Sequence, residues 1–474
     1  MKNLRDKMEF TCHFDEGGDL HAYNQESPKR NPVANGISHP HKRIRNDNHQ
    51  VNYKAFFLVL IIILISVSYT NAQTKPNKFR VSGFLEYLNN TWIPEGEIAQ
   101  TLSINEWQMQ GGVYNRFNFW YEPTSNLEFY VGMRNNFVFG PMVATYTDLF
   151  NLAGISYSDL VTYDPGYMDL TFTIADSKSY ILYTNFDRAN VKWTLDKFEL
   201  TVGRQRINWG QNFIWNPNDI FNAYNFFDFN YVERPGSDAV LMELFTGDFS
   251  SVQLAGKLSY IQVVEDTSVL ILKDELKLTA AAMYRFNKWN YDFQVFGGVM
   301  ETDITAGLGW AGSIAGAGFT GEVSWFRDME KFADTSGSVV ASIGANYTFK
   351  NSIFINFSGI YNSSGAIDSV NAVGTGFRGS FSNVFSSSLN AKNLTRARLD
   401  LFGQISYPAT PLINLDLACI FNPYDLSGFV GPTVNFSLSD NISLGVVGQL
   451  FWGQPFTEYG DIGQMFFLDL KWSF

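Results

Sequence analysis

The sequence predicts an all-β protein, a transmembrane antiparallel up-and-down β-barrel of about 18 strands (16–18) with a long inward-folded loop. Three observations lead to this prediction. Apolar and polar residues alternate with period two, short and long connections alternate along the chain, and an export leader precedes both patterns. A strand with one apolar and one polar face suits a barrel that has lipid outside and water inside.

The alternation is clearest in the last ten or so residues. The apolar face there consists of Phe466, Leu468, Leu470, Trp472 and Phe474. A helix would scatter these side chains around its circumference, whereas a strand places them on one side. The same pattern predicts eighteen strands near residues 79–88, 107–120, 126–139, 188–195, 198–207, 238–246, 249–263, 275–286, 290–301, 304–313, 317–328, 336–348, 351–361, 395–407, 411–421, 427–438, 441–452 and 464–474.

The connections between the predicted strands alternate in length. The short ones, which suit tight hairpins, are Glu122–Ser125, Asp196–Lys197, Gly247–Asp248, Asn287–Lys288, Ser313–Gly316, Lys350, Pro408–Thr410 and Ser439–Asp440. The long ones are 140–187, 208–237, 264–274, 329–335, 362–394 and 453–463, with one short exception at Thr302–Asp303. Short periplasmic turns and longer outside loops are typical of outer-membrane barrels, and an even strand number puts both termini in the periplasm.

The first 72 residues are predicted to comprise an export signal and a preceding extension, and not to form part of the barrel. Residues 55–67 read AFFLVLIIILISV, which is too short for a membrane span but matches the apolar core of a signal peptide. We expect a signal peptide over 51–72, cleavage between Ala72 and Gln73, and a barrel over 73–474 in the outer membrane. Residues 1–50 are either a non-native or disordered extension, if translation starts near Val51, or a His-rich functional tail.

Composition narrows the function classes. All five His residues lie before residue 50, so the mature chain has no imidazole for catalysis or metal binding. The first 72 residues carry 9 basic and 7 acidic residues, which leaves the mature chain with a net charge of −14, and such a surface repels nucleic acid. We therefore expect no enzyme activity, no cofactor, no metal and no nucleic-acid partner, although chance carboxylate pairs leave glycosidase chemistry open.

A soluble β-sandwich or propeller would also alternate. Aromatic residues recur near predicted strand ends, as interfacial girdles do, and this distribution together with the export leader favours the membrane barrel. No segment between Gln73 and the first strand could form the plug of a TonB-dependent receptor.

The final strand, FFLDLKWSF, resembles the insertion signal of outer-membrane barrels, with Leu470, Trp472 and Phe474 as its alternating positions. The resemblance implies the barrel-assembly machinery as a partner. A second run, Gly203–Gly210 followed by Trp215–Asp219 and Glu233–Ala239, resembles a motif in Gram-negative porin-like families near the alginate-export type. That resemblance implies a segment that runs from a strand into a loop inside the lumen.

The residues of the 208–237 connection also predict a loop that folds into the lumen. It carries seven Trp and Phe side chains, and such a loop left in water would expose a large apolar patch. Folded inward, it could be fixed by pairing of Arg204, Arg206 and Arg234 with Asp219, Glu233 or Asp238. These residues, with Trp209 and Trp215, form either a structural brace or a constriction that selects solutes.

The phase of the alternation conflicts with the charges at one position. Phe198, Leu200 and Val202 should face lipid, and the same phase places Arg204 and Arg206 outward. A bulge at Gly203 would turn the arginines inward. Without a bulge, they would lie at the level of the lipid headgroups.

The leading functional hypothesis is a porin-like channel for small solutes, with outer-membrane lipids as its surroundings. The alternative is an outer-membrane transporter for hydrophobic or amphipathic molecules, suggested by the aromatic loop. The solute, the role of the 362–394 connection and the oligomeric state, with a homo-oligomer among the candidates, stay open.

Overall fold

The computed structural model describes residues 78–474 apart from 102, 105, 153, 224–225, 228–232, 267–270, 334–335, 368–388 and 456. The predicted extension 1–50, the signal peptide 51–72 with its Ala72–Gln73 cleavage site, and most of the 362–394 connection lie outside the described residues. Those expectations stay predictions.

One antiparallel sheet contains all the strands of the described residues. They are β1 (Phe79–Ile93), β2 (Gln108–Thr124), β3 (Leu127–Phe139), β4 (Thr171–Ser177), β5 (Tyr180–Leu195), β6 (Phe198–Gln205), β7 (Ser237–Gly247), β8 (Ser250–Asp266), β9 (Ile271–Lys288), β10 (Tyr291–Met300), β11 (Asp303–Ile314), β12 (Ala317–Asp328), β13 (Ser338–Thr348), β14 (Phe354–Asn362), β15 (Leu399–Thr410), β16 (Ile413–Phe421), β17 (Gly428–Ser439), β18 (Ile442–Trp452) and β19 (Gln464–Ser473). The helices are α1 (Gly96–Thr101), α2 (Pro141–Leu152) and α3 (Tyr157–Val161).

The sheet closes into a barrel. β19 pairs with β1 from Gln464 opposite Ile93 to Ser473 opposite Phe84. Each strand otherwise pairs with its chain neighbour, except that β3 pairs directly with β5. β4 and β6 both pair with the same edge of β5, one above the other, so the wall has 18 strand positions. The predicted fold class, an all-β antiparallel barrel of about 18 strands, is confirmed.

The two faces of the wall differ as the alternation requires. In β19 the outward Phe466, Leu468, Leu470 and Trp472 are all exposed, whereas Phe467 on the opposite face is buried. Polar side chains such as Gln253, Gln294 and Glu322 are buried on the inward face of other strands. Because an apolar side chain exposed to water costs free energy, an outward face of this composition suits contact with hydrocarbon. None of the helices in the described part of the chain is long and apolar enough to cross a bilayer.

The 140–187 connection contains structure that the sequence pattern did not reveal. It holds α2, α3 and β4, and β5 begins at Tyr180 rather than at the predicted residue 188. Ile181 and Tyr183 lie on the inward side of β5, where Ile181 is fully buried and Tyr183 packs against the core. With apolar residues on both faces, the first half of β5 lacks the alternation that identifies a barrel strand.

Residues 163–177, here called the wall patch, complete the barrel wall above β6 and β7. β6 ends at Gln205 and β7 begins at Ser237, so both strands are short at the ends that the connection between them joins. Gly166 forms a bridge with Ser259 of β8, and β4 pairs with the outer half of β5. The wall patch thus fills the gap that appears because the chain between β6 and β7 turns inward.

Candidate functional site

The segment between β6 and β7, residues 206–236, is here called the inner loop. Its Trp209 is fully buried and donates a 2.9 Å hydrogen bond from Nε1 to Oε1 of Gln253 on β8. The carbonyl oxygen of Trp209 accepts a 2.6 Å hydrogen bond from Nε2 of Gln294 on β10. Since Gln253 and Gln294 lie on the inward face, these bonds place the start of the inner loop inside the barrel.

Glu322 of β12 is the main polar anchor of the middle of the inner loop. Its carboxylate accepts backbone N–H bonds from Asn212 at 3.0 Å, from Asn218 at 2.9 Å and from Gln211. Ser324, on the same face of β12, donates to Asn218 Oδ1 at 2.7 Å. A carboxylate that accepts several backbone N–H groups is well satisfied although fully buried.

Serine and aromatic side chains of β13, β15, β17 and β18 contact the inner loop at Trp215 and Phe227. Ser342 of β13 donates a 2.9 Å bond to the carbonyl oxygen of Trp215, whose ring meets Phe402 of β15 edge-on. Phe227 is surrounded by rings of β17 and β18, with Phe429 at 5.0 Å between centroids. The inner loop therefore reaches wall strands from β8 to β18.

Most of the aromatic side chains that suggested an inward loop are buried there. Trp209, Trp215, Phe221 and Phe227 are all buried. Phe226 is partly buried and packs against them, and Phe213 is exposed over 56% of its surface. Phe229 lies outside the described residues.

An ion-pair network fixes the two ends of the inner loop to the wall patch. Arg204, at the end of β6, donates from Nε and Nη2 to the two carboxylate oxygens of Asp238 on β7, at 2.7 and 2.9 Å. Nη1 of Arg204 donates to Asp164 of the wall patch at 2.6 Å, and Nη2 donates to the carbonyl oxygen of Met168. Only 4% of Arg204 is exposed, so the pairs are shielded from water and strongly oriented.

Glycines allow this packing. Gly203 has a φ of +114°, and a Cβ there would lie 2.3 Å from the carbonyl oxygen of Ala189. The pairing of β6 with its neighbours shows no register shift at Gly203, so the first alternative, a bulge at this position, is absent. Arg204 does not reach lipid headgroups either, because the wall patch covers it. Gly166 approaches Arg204 so closely that a Cβ would collide with the guanidinium.

A second buried pair holds the far end of the inner loop. Arg116 of β2 binds both carboxylate oxygens of Asp187 on β5, at 2.6 and 3.0 Å. Arg188 next to it donates to the carbonyl oxygens of Glu233 at 2.6 Å and Arg234 at 3.0 Å. The Glu233 carboxylate is 4.0 Å from Arg116 Nε. Asp164, Asp187 and Arg188 were not predicted as part of the site, because their partners are distant in sequence.

Asp219 lies in the interior of the inner loop. The backbone N–H of Trp209 donates to its Oδ1 at 3.4 Å. Burial raises the pKa of the Asp219 carboxyl to about 7, and the positive charges of Arg206 and Arg234 partly oppose that rise. Of the pairings predicted for the inner loop, the structure thus contains Arg204–Asp238 directly and brings Asp219 under the influence of Arg206 and Arg234.

A cavity of about 470 Å³ lies beside the inner loop. It is bounded by inward residues of β1, β2, β3, β5 and β8, by the wall patch, and by inner-loop residues 221–223 and 234–236. Arg204, Arg234 and Asp238 line it, whereas Arg206, Trp209, Trp215, Asp219 and Glu233 do not. Within the described residues, no group of three or more His, Cys, Asp or Glu could hold a metal ion.

Comparison with solved structures identifies the architecture. The chain is similar to OpdQ of Pseudomonas aeruginosa, with a TM-score of 0.51 and 7% identity over 84% of this chain and 99% of that one. This is an outer-membrane barrel fold. OccAB2 of Acinetobacter baumannii gives 0.49 with 8% identity over 83% and 98% of the two chains, and OprD of P. aeruginosa gives 0.49 with 10% over 86% and 98%.

No protein-family model matches the chain, and no curated protein does. At identities this low, the likeness to OpdQ establishes the fold alone. The finer resemblance to alginate-export-type barrels and the C-terminal insertion signal stay predictions.

Proposed function

We propose that this protein is a porin-type channel of the outer membrane that lets small solutes pass, with the inner loop narrowing its lumen. The observation that carries the proposal is a closed barrel, apolar outside and polar inside, whose interior is crossed by the inner loop and still holds a cavity. A barrel of 18 positions is wide enough for an aqueous passage once the loop leaves part of the lumen open.

The alternative, transport of hydrophobic or amphipathic molecules, is not favoured. It depended on the aromatic side chains of the inner loop. Trp209, Trp215 and Phe227 pack against the inward wall and are buried, so their rings do not line the cavity. The rings that do border the cavity belong mostly to tyrosines, such as Tyr114, Tyr163 and Tyr183, which add a hydroxyl group to each ring.

Liposome swelling with neutral sugars of increasing size tests the proposal. We expect purified barrel to admit small sugars and to exclude larger ones, because the inner loop limits the width. A variant that lacks residues 211–218, which contact β12 and β13, should admit larger sugars. Folding of both proteins is checked by the heat-dependent gel shift of closed barrels. Folded barrels that leave vesicles impermeable, and silent in single-channel recordings, would overturn the proposal.

The membrane partners of the proposal are outer-membrane lipids and the barrel-assembly machinery. Leu470 and Trp472 face outward on β19, and the backbone of Phe474 exchanges two 2.9 Å hydrogen bonds with Gly83 of β1. The terminal residue therefore lies where the barrel closes. Phe474→Ala should slow assembly in membranes more than Phe79→Ala at the start of β1, as judged by the folded fraction over time. A homo-oligomer remains a prediction.

A further inference from the structure

The inner loop fills the lumen unevenly. Its anchors lie on β8, β10, β12 and β13, and then on β15, β17 and β18. On this side, wall groups such as Glu322, Ser324 and Ser342 are bonded directly to the loop and are almost fully buried. Because loop atoms occupy the space in front of these groups, a solute cannot reach them without displacing the loop.

The opposite side of the barrel, formed by β1, β2, β3 and β5, meets the cavity, and residues 257–262 of β8, beyond the anchor Gln253, also line it. Asn136 of β3 and Tyr183 and Asn185 of β5 line it, and Ala223 and Arg234 form its boundary on the inner loop. A volume of about 470 Å³ lies within the range of small-molecule sites.

We propose that solutes pass off the barrel axis, along the wall formed by β1, β2, β3 and β5, and that residues lining this wall determine selectivity. The inference rests on the proposed channel function and assigns its path. It moves the selective residues away from Trp209, Trp215 and Asp219, which the sequence suggested, because these side chains support the loop from behind.

The lining defines the solutes that suit the path. Three of its acidic residues, Asp164, Asp187 and Asp238, accept hydrogen bonds from buried arginines and are largely neutralised. Lys257 Nζ donates a 2.8 Å bond to the carbonyl oxygen of Phe221, and Glu301 supplies a charge of the opposite sign, while Arg134 and Arg234 also border the cavity. Tyrosine hydroxyls and asparagine amides make up much of the remaining polar lining. Apolar side chains such as Leu88, Ile181 and Phe467 also line the cavity, so the path fits small solutes that carry hydrogen-bonding groups beside an apolar part.

Thiol labelling of single cysteines tests the path. Cys419 faces outward on β16, and Cys12 lies before the predicted cleavage site, so the processed Cys419→Ala protein is the background. Into it we place Asn185→Cys on the cavity side and Ser342→Cys on the occupied side, both on inward faces of the wall. Ala223→Cys and Ser324→Cys form a second pair. Each variant is checked for the heat-dependent gel shift and for its conductance, and is then exposed to a charged methanethiosulfonate reagent during single-channel recording.

We expect the reagent to lower the conductance of Asn185→Cys and Ala223→Cys about twofold or more, and to leave Ser342→Cys and Ser324→Cys unchanged. Equal block of both sides, or block of the Ser342→Cys side alone, overturns the off-axis path while the channel function stands. Absence of any conductance in the Cys419→Ala protein overturns the channel function itself. The two failures are therefore distinguishable.

Discussion

The ends of the inner loop are fixed by buried ion pairs, whereas its middle is fixed by hydrogen bonds to the wall. At the ends, Arg204 and Arg116 each grip a carboxylate with two hydrogen bonds. In the middle, Glu322, Ser324 and Gln294 bind mostly backbone groups of the loop. The ends lie beside the cavity, and the middle lies on the far side of the barrel.

This difference shows that the ion pairs at the ends and the hydrogen bonds in the middle satisfy different groups of the chain. At the ends, two strands stop early and the wall patch must join them, so a planar guanidinium that binds several acceptors is suited to that junction. In the middle, the loop offers only N–H and C=O groups, and these need matching partners once they leave water. Removal of one ion should therefore cost more than removal of one hydrogen bond.

The largest effect is expected for Arg204→Met. It leaves Asp164 and Asp238 buried without their cation, and we expect a loss of about 3–5 kcal/mol in the free energy of unfolding. Urea unfolding of the barrel in lipid vesicles measures the loss. The matched control is Arg80→Met, whose pair with Glu122 is exposed at 59% and 47% and should contribute about 0–1 kcal/mol. Equal losses in the two variants would contradict the comparison.

A pH effect is expected next, from Asp219. The folded loop keeps a proton up to a pKa of about 7, whereas the unfolded chain releases it near 3.8. The contribution of Asp219 to the free energy of unfolding is therefore fully present below pH 3.8. It falls as the pH rises to 7, by about 1.4 kcal/mol for each pH unit between the two values. The groups that also act on Asp219 are Arg206, Arg234, Lys257 and Glu322.

Asp219→Asn should reduce the fall in stability over this range, because the amide cannot ionise whereas other buried carboxyl groups, such as that of Glu322, still can. Unfolding of both proteins at about pH 5 and about pH 8 gives the comparison. A wild-type protein that becomes more stable as the pH rises over this range, with the same gain in the variant, would refute the assignment to Asp219.

Glu322→Gln tests the middle of the loop. The variant keeps one carbonyl oxygen for the N–H groups of Gln211, Asn212 and Asn218 but loses the charge, so we expect a loss of about 2 kcal/mol. Single-channel recordings should show more frequent transitions as the loop detaches from β12. Glu199→Gln, which removes a half-exposed pair with Lys192, serves as the control and should leave the recordings unchanged. Quiet recordings from Glu322→Gln would show that the hydrogen bonds of the serines suffice.

The smallest effect is expected for Trp209→Phe. This change removes the Nε1 donor to Gln253 and leaves its amide oxygen unsatisfied, at a cost of about 1–2 kcal/mol. Trp472→Phe on the exposed outward face is the control, and a change of less than about 0.5 kcal/mol is expected there. If Trp472→Phe costs as much as Trp209→Phe, the buried hydrogen bond contributes nothing measurable.

The barrel wall was predictable because the alternation of apolar and polar residues can be recognised within each single strand. Each of the eighteen predicted strands is present, and the alternation of β19 places Leu468 and Asp469 on the faces that the sequence indicated. The first half of β5 was not predicted, and the cause is local. Where Ile181 and Tyr183 pack inside the barrel, the inward face is apolar and the strand signal disappears.

The candidate site was predictable only in part. The charges of Arg204 and Asp238 and the aromatic residues of the inner loop pointed to an inward segment. The partners Asp164, Asp187 and Arg188 were not recognised, because residues 40 or more positions apart meet only after closure, as Arg204 and Asp164 do. The side of the lumen that the loop leaves open depends on all these contacts together.

The sequence by itself determined which residues face lipid and which face the interior, because that choice depends on a period-two pattern within each strand. Only the tertiary structure decided that β4 would share a wall position with β6, that Arg204 would lie under the wall patch, and that the cavity would lie against β1 to β5. These features arise from packing between distant segments, whose geometry no local pattern encodes.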